Sequence, residues 1–364
     1  MGDVMLGELL ENFRRGLKST IEKRGIDPFE HVKPLLKDAD ANVVNLECVL
    51  SDSSIRPKPF SEILRSPEKF ITYLTDARIN VVNTANNHAL DHGKEAFERS
   101  LELLRDHGIH IIGYRSDSYF QEEPLVLEPA EIKVGFLGYN ISNFPDEDKR
   151  KCVERMKDII TGVRSSVDVL VLSVHWGEEH TNVPPPYVVR YGKELLEAGC
   201  DIIHGHHSHQ IQGVIRDGNR IFGPSLGDFI FDEKAGKNRI TAVLRTEIRD
   251  GAIFFEYPAF HMNDLYQPVR SPAHDAYVKR ITDYLAHSYG EGGADAYRDT
   301  VRKKVRAGHR RNRIRMRATM LLHFWDYLPY AGKMLSLAFG KQRIYSVIVG
   351  SRTLPPGKTR AEPD

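Results

Sequence analysis

"DIIHGHHSHQIQGV", residues 201–214, places four histidines within six positions, directly after the apolar pair Ile202 and Ile203. An apolar run this short, β-branched and broken by glycine, reads as a buried strand rather than a helix. Such a strand delivers His204, His206, His207 and His209 at or beyond its carboxyl end. Upstream the same grammar recurs. The runs ANVVNL (41–46), INVVNT (79–84), IHIIGY (109–114), KVGFLGY (133–139) and VDVLVLSV (167–174) read as further buried strands. Helical stretches separate them. DPFEHVKPLLKD offers Asp27 as N-cap with Pro28 at the first helical position, and SPEKFITYLTDA repeats the device with Ser66 and Pro67. GKEAFERSLELLRDHG sets Phe97, Leu101 and Leu104 on one side and ends at Gly108. Strands alternating with helices predict an α/β domain. After residue 210, IQGVIRDGNRIFG and TAVLRTEIRDGAIFFEY each carry Asp-Gly between strand-like runs, which predicts two hairpins.

Polar clusters close four of these strands: NLE (45–47), NTANNHALDHG (83–93), SVHWGEEH (173–180) and HGHHSH (204–209). Open α/β sheets bind ligands just beyond the carboxyl ends of their strands, so the four clusters converge on one crevice. Between residues 175 and 209 lie six of the 16 histidines, His175, His180, His204, His206, His207 and His209. Imidazoles beside carboxylates and amides, with no thiolate among them, point to one or two divalent ions of manganese, iron or zinc. An H-x-H pair can send both rings to one metal. His207 and His209 are preferred over His204 and His206, because His204 sits inside the apolar run.

Bulk properties exclude several classes. The chain of 364 residues suits one large domain with an extension, or two domains. With 51 basic and 50 acidic side chains, no global charge recruits nucleic acid. Cys48, Cys152 and Cys200 are odd in number and scattered, which supports neither a disulfide framework nor a zinc knuckle. No run reaches the roughly 18 apolar residues of a membrane span, and the start lacks a signal-peptide profile.

GDVMLG, NLE, ANNHALDHG, HWGEEH, DIIHGHHSHQIQGV and SLGDF occur in the order and spacing of the capsule synthesis family associated with poly-γ-glutamate, the CapA family. Over roughly residues 1–232 the chain resembles a member. That family resembles the calcineurin-like metallophosphoesterases, so the resemblance implies a four-layer α/β/β/α sandwich of the metallo-dependent phosphatase type. It implies Asp3, Glu47, Asn87, His175, His207 and His209 as metal ligands, with Glu47 bridging, and His88 as general acid. Asp91 joins His88 as a catalytic candidate, with a helix N-cap as its other reading. Trp176, Glu178, Glu179, His206 and Asp228 are candidates to orient ligands or meet substrate, Trp176 having packing as its alternative.

Three departures from the family pattern bear on the site. Met5 stands where a metal-binding histidine belongs, which weakens one of two metal positions. Asp228 stands where the family usually shows asparagine. The first strand is truncated, with Asp3 two residues from Met1, so the expectation is a fraying start, an incompletely built first metal site and a reading frame that continues upstream.

The expected domains are 1–263, a CapA-like metallophosphatase-like domain; 264–350, a helical basic and apolar extension; and 351–364, a disordered tail. Residues 302–317 hold nine basic side chains (Arg302, Lys303, Lys304, Arg306, Arg310, Arg311, Arg313, Arg315 and Arg317) and no acid, followed by apolar MLLHFWDYLPYAGKMLSLAF. Over 302–340 this reads either as a solvated helical face or as a peripheral contact with anionic membrane. The expected function is a metal-dependent, phosphoesterase-like hydrolase of an anionic polymer or phosphorylated substrate in capsule, poly-γ-glutamate or other polysaccharide biosynthesis. The alternative is a non-catalytic assembly protein of such a pathway. The expected location is cytoplasmic or peripheral to the membrane, and extracytoplasmic if an upstream signal or anchor precedes this sequence.

Overall fold

The computed structural model describes residues 1–56, 60–114, 120–142, 144–233 and 236–291, together with 301, 314 and 328–330. The chain divides into two compact units, Met1–Thr319 and Met320–Asp364. In the second, the described residues are the 3-10 turn Leu328–Tyr330. The basic run 302–317, apart from Ile314, and most of the apolar stretch after it lie outside the described residues. So does the tail 351–364. Among the described residues no helix is long and apolar enough to cross a membrane.

Two sheets of a mixed α/β fold carry the first unit. One runs Asp228–Ile230, Asp3–Val4, Val43–Leu46, Val81–Asn83, His110–Ile112, all parallel. The other runs Ile215–Asp217, Arg220–Gly223, Ile202–His206, Val169–His175, Val134–Asn140, Leu125–Leu127, with four parallel strands inside two antiparallel edges. The expected strands are present, each within two residues of its sequence range. Both Asp-Gly hairpins form. Asp250 and Gly251 both take positive φ, at 51° and 73°, which matches the twist of the strands they join.

Alternation along the strands explains the layering. Val169–His175 is buried at all seven positions. Val169 and Val171 pack with Val81, Ile112 and Ile202 in a cluster that joins the two sheets. Leu170, Leu172 and Val174 face the opposite side and pack with Val153 and Met156 of helix Asp146–Val163 and Leu195 of helix Pro186–Glu197. A strand covered on both faces must be apolar on both, which is why these runs do not alternate in the sequence.

Helix Lys94–Asp106 forms where its periodicity predicts and buries Phe97, Leu101 and Leu104. It ends on a left-handed Gly108 (φ 72°), with Ile109 N donating to Leu104 O at 2.9 Å. The two capped starts differ from expectation. Asp27 Oδ1 accepts from Phe29 N at 2.9 Å, but the α-helix there is Lys33–Leu36, because Pro34 has no N–H to give a turn begun upstream. Ser66 belongs to a short buried strand pairing and donates its hydroxyl to Cys48 Sγ, so the turn after Pro67 starts without a side-chain cap.

The expected fraying at Asp3 is also overturned. Strand Asp3–Val4 is short but paired on both sides, with Asp3 N donating to Gly227 O at 2.9 Å and Met5 N to Ile230 O at 2.8 Å. Pairing with two strands at once holds a two-residue strand that could not hold itself, and Asp3 is fully buried.

Candidate metal centre

Polarity rises along each strand towards its carboxyl end. On the faces that meet between the sheets, Val169 and Val171 give way to Ser173 and His175, and Ile202 to His204 and His206. In the first sheet Val81 gives way to Asn83, and Val43 to Asn45. Side chains two residues apart share a face, so an apolar interior passes into a buried polar one without any turn in the chain.

Asn45, absent from the residues proposed above, is the hub of this polar zone. Its Nδ2 lies 3.0 Å from Asp3 Oδ1, 3.3 Å from Glu47 Oε2 and 3.3 Å from His175 Nδ1. The signal for it was its alternation with Val43 just ahead of Glu47. Ser173 was missed for a similar reason; its Oγ accepts from Asn83 Nδ2 at 3.0 Å and lies 3.1 Å from His206 Nε2.

Around Glu47 the six ligand candidates come together. His175 Nε2 stands 2.7 Å from Asn87 Oδ1 and 3.0 Å from His207 Nδ1. Glu47 Oε1 stands 3.9 Å from His175 Nε2, 3.9 Å from His88 Nε2 and 3.8 Å from His209 Nε2. Asp3, Glu47 and His209 each offer a ligand atom, all within 4.8 Å of one another. Donors about 2.1 Å from a common cation stand about 3.0–3.4 Å apart; His175 Nε2 and His207 Nδ1 meet that spacing, and the imidazoles around Glu47 Oε1, at 3.8–3.9 Å, would have to draw in on a cation.

The decisive observation is Glu47 Oε1, fully buried and without a hydrogen-bond partner. A buried carboxylate oxygen left unpaired is costly unless something positive meets it. Burial and the neighbouring Asp3 carboxylate push the Glu47 carboxyl well above its usual range. His175 is held well below its ordinary value by burial and by the facing His207 ring, and burial lowers His207 to about 4. Neutral imidazoles of this kind are ready to act as ligands. His207 and His209, with His180 beside them, have positive φ values of 87°, 55° and 59°. Left-handed backbone at three nearby non-glycine residues is strain that the surrounding fold must hold, and such strain gathers at functional sites.

His88 is half-buried beside this group. Its Nδ1 meets Asp91 Oδ2 at 2.9 Å, and Asp91 Oδ2 also receives Arg56 at 3.5 Å. Asp91 is therefore not a helix cap; helix Lys94–Asp106 has Gly93 at that position. Glu179 stands partly exposed at the mouth, 3.8 Å from His180 Nε2. Burial would raise its pKa, but His207 and the other imidazoles bring it to about 2.

Three substrate candidates are corrected. Trp176 is a core side chain, 1% exposed, packed with Phe222 and Leu195 and donating Nε1–H to Pro224 O at 2.9 Å. It follows His175 on the strand and so faces the helices instead of the crevice. His206 is fully buried, with Nδ1 2.8 Å from Asp3 Oδ1 and Nε2 3.1 Å from His204 Nδ1. Asp228 is fully buried beneath His209, its Oδ1 2.8 Å from His209 Nδ1. Both side chains are fully buried and meet ligand candidates, His206 facing Asp3 and Asp228 facing His209.

Buried carboxylates and imidazoles around an unpartnered oxygen, at the carboxyl ends of parallel strands, make this an α/β protein with the donor set of a divalent-cation centre. The chain belongs to the bacterial capsule synthesis protein PGA_cap family, whose model matches residues 1–233. A capsule biosynthesis protein CapA of Bacillus anthracis is 28% identical over 69% of this chain and 63% of its own length. A PGA biosynthesis protein CapA of Bacillus subtilis is 24% identical over 78% of this chain and 75% of its own. A probable polyglutamine synthesis accessory protein of Mycobacterium tuberculosis is 23% identical over 47% of this chain and 50% of its own. The chain thus spans less than two thirds of the length of the first of these relatives.

Proposed function

We propose that this protein is a metal-dependent, phosphoesterase-like hydrolase with the four-layer α/β/β/α architecture of the metallo-dependent phosphatases, serving synthesis of an anionic polymer such as capsule or poly-γ-glutamate. The link to polymer synthesis rests on the family and on the names its relatives carry. The observation that carries the hydrolase reading is the unpartnered Glu47 Oε1, ringed by imidazole nitrogens at 3.8–3.9 Å. Glu47, Asn87, His175 and His207 would hold one divalent cation, and Asp3, Glu47 and His209 a second that shares Glu47. A bound cation lowers the pKa of water and neutralises an anionic reacting centre.

The chain's own groups supply the rest. Asp91 accepts from His88 Nδ1, and His88 Nε2 faces the centre, 3.0 Å from Asn87 Nδ2 and 3.9 Å from Glu47 Oε1, where the ring, once protonated on both nitrogens, would pass its Nε2 proton to a leaving oxygen. Arg56 pins Asp91 from the other side. Glu179, partly exposed beside His180, would meet substrate. The test is metal analysis of the full chain combined with turnover of a panel of phosphoester and γ-glutamyl substrates. Bound metal with turnover supports the reading. Bound metal with no turnover on any of them favours the non-catalytic assembly protein, and absence of metal after incubation with manganese, iron or zinc removes the hydrolase proposal.

A further inference from the structure

The two proposed cation positions are not equivalent. Glu47, Asn87, His175 and His207 give one position four protein donors. Asp3, Glu47 and His209 give the other three, and Met5, standing where the resemblance puts a ligating histidine, accepts Gly7 N on its Sδ at 3.1 Å. The three-donor position therefore depends heavily on how well His209 is presented.

The His209 ring is clamped from two sides. Phe231 packs edge to face against it with ring centroids 4.8 Å apart and offers no acceptor. Asp228 Oδ1 lies 2.8 Å from Nδ1, whereas the nearest Asp3 oxygen is 4.0 Å from the same nitrogen. With Nδ1 engaged by Asp228, the nitrogen left to serve as donor is Nε2, which faces Glu47 Oε1 at 3.8 Å. Asp228 reaches this place through backbone register. It opens the strand Asp228–Ile230 and is the register partner of Asp3, so one strand pairing positions the ligand Asp3 and the support beneath His209.

We propose that Asp228 is a positioning residue that sets the occupancy of the three-donor position by fixing the orientation and the tautomer of His209. The inference rests on the metal-centre reading above. A carboxylate hydrogen-bonded to the far nitrogen of a ligating imidazole locks its tautomer, and losing it typically costs about 10–100-fold in metal affinity. The weaker position consequently fills after the stronger one, at a concentration that Asp228 determines.

Titration of manganese into the metal-stripped full chain, with free ion read by electron paramagnetic resonance, tests this. The wild-type protein is expected to show a tight and a weaker site. Asp228→Ala should weaken the second by roughly 10–100-fold and leave the first unchanged. Asp228→Asn, which keeps an acceptor, should lose less. In a His209→Ala background, Asp228→Asn should have no further effect. Equal weakening of both sites, an unchanged weaker site in Asp228→Ala, or a further loss in the His209→Ala background would overturn the proposal, the last by making Asp228 a ligand in its own right. A second measurement needs no substitution: nitrogen NMR of the metal-stripped wild-type chain should show His209 protonated at Nδ1, and a bare Nδ1 would also overturn it. A wild-type chain that takes up no manganese, iron or zinc fails at the earlier step and removes the metal centre itself, a result distinct from any of these.

Discussion

The space between the two sheets has an apolar end and a polar end, built from the same strands in the same register. Near the amino ends, Val81, Val169, Val171, Ile202 and Ile221 meet in one cluster. Four to six residues further along the same strands stand His175 and His206, facing Asp3, Asn45 and Glu47, all fully buried. The first end is held by removal of apolar surface from water, which asks only for shape and volume. The second is tolerated because most of its polar atoms have partners; among the described residues the buried exceptions there include Glu47 Oε1 and Asp228 Oδ2, which border the proposed cation positions, and His204 Nε2 further back on the same strand as His206. Burial alone therefore says nothing about role; the pattern of satisfied and unsatisfied atoms separates packing from function.

Substitutions at the two ends should fail in different ways. The largest effect is expected at the polar end: replacing His207 and His209 together with alanine should abolish stoichiometric metal, read by elemental analysis after equilibrium dialysis. Unchanged metal content in a folded variant would sink the ligand assignment. At the apolar end, Ile202→Ala should cost about 2–5 kcal/mol of stability in a denaturant titration, because the packed cluster cannot collapse fully around the lost volume. Its metal content should stay the same, and loss of metal there would erase the distinction between the ends.

His88→Ala probes the rim of the polar end. It should retain metal yet lose on the order of 10²-fold in turnover, most severely with poor leaving groups. Loss of metal in that variant would instead make His88 a ligand. The smallest effect belongs to the boundary between the ends. Ser173→Ala removes the acceptor for Asn83 and the hydroxyl beside His206, and should cost about 1–3 kcal/mol for the buried groups left unpaired, with metal uptake intact. A cost near zero would mean that the polar zone begins further towards the crevice.

Much of this was legible before any coordinates. The strand runs, the helix Lys94–Asp106 with its glycine stop and both Asp-Gly hairpins follow from periodicity and turn chemistry, which are local. The gathering of Asp3, Glu47, Asn87, His175, His207 and His209 followed from strand ends and from the family resemblance. What misled were residues whose neighbours in the chain are functional but whose own side chains point elsewhere. Trp176 follows His175 and faces the helices, as alternation requires. His206 precedes His207 and turns between the sheets towards Asp3.

The sequence by itself determined the α/β class, the family and the kinds of donor available, because residue type, spacing and turn chemistry are properties of the chain alone. The tertiary structure decided which atoms meet. Asp3 lies 42 residues from Asn45 in sequence, yet their side chains hydrogen-bond at 3.0 Å. Asp228 meets His209 because its strand returns to pair with the first. Register between strands distant in sequence sets those contacts, and register depends on packing over the whole pair of sheets, which no local stretch encodes.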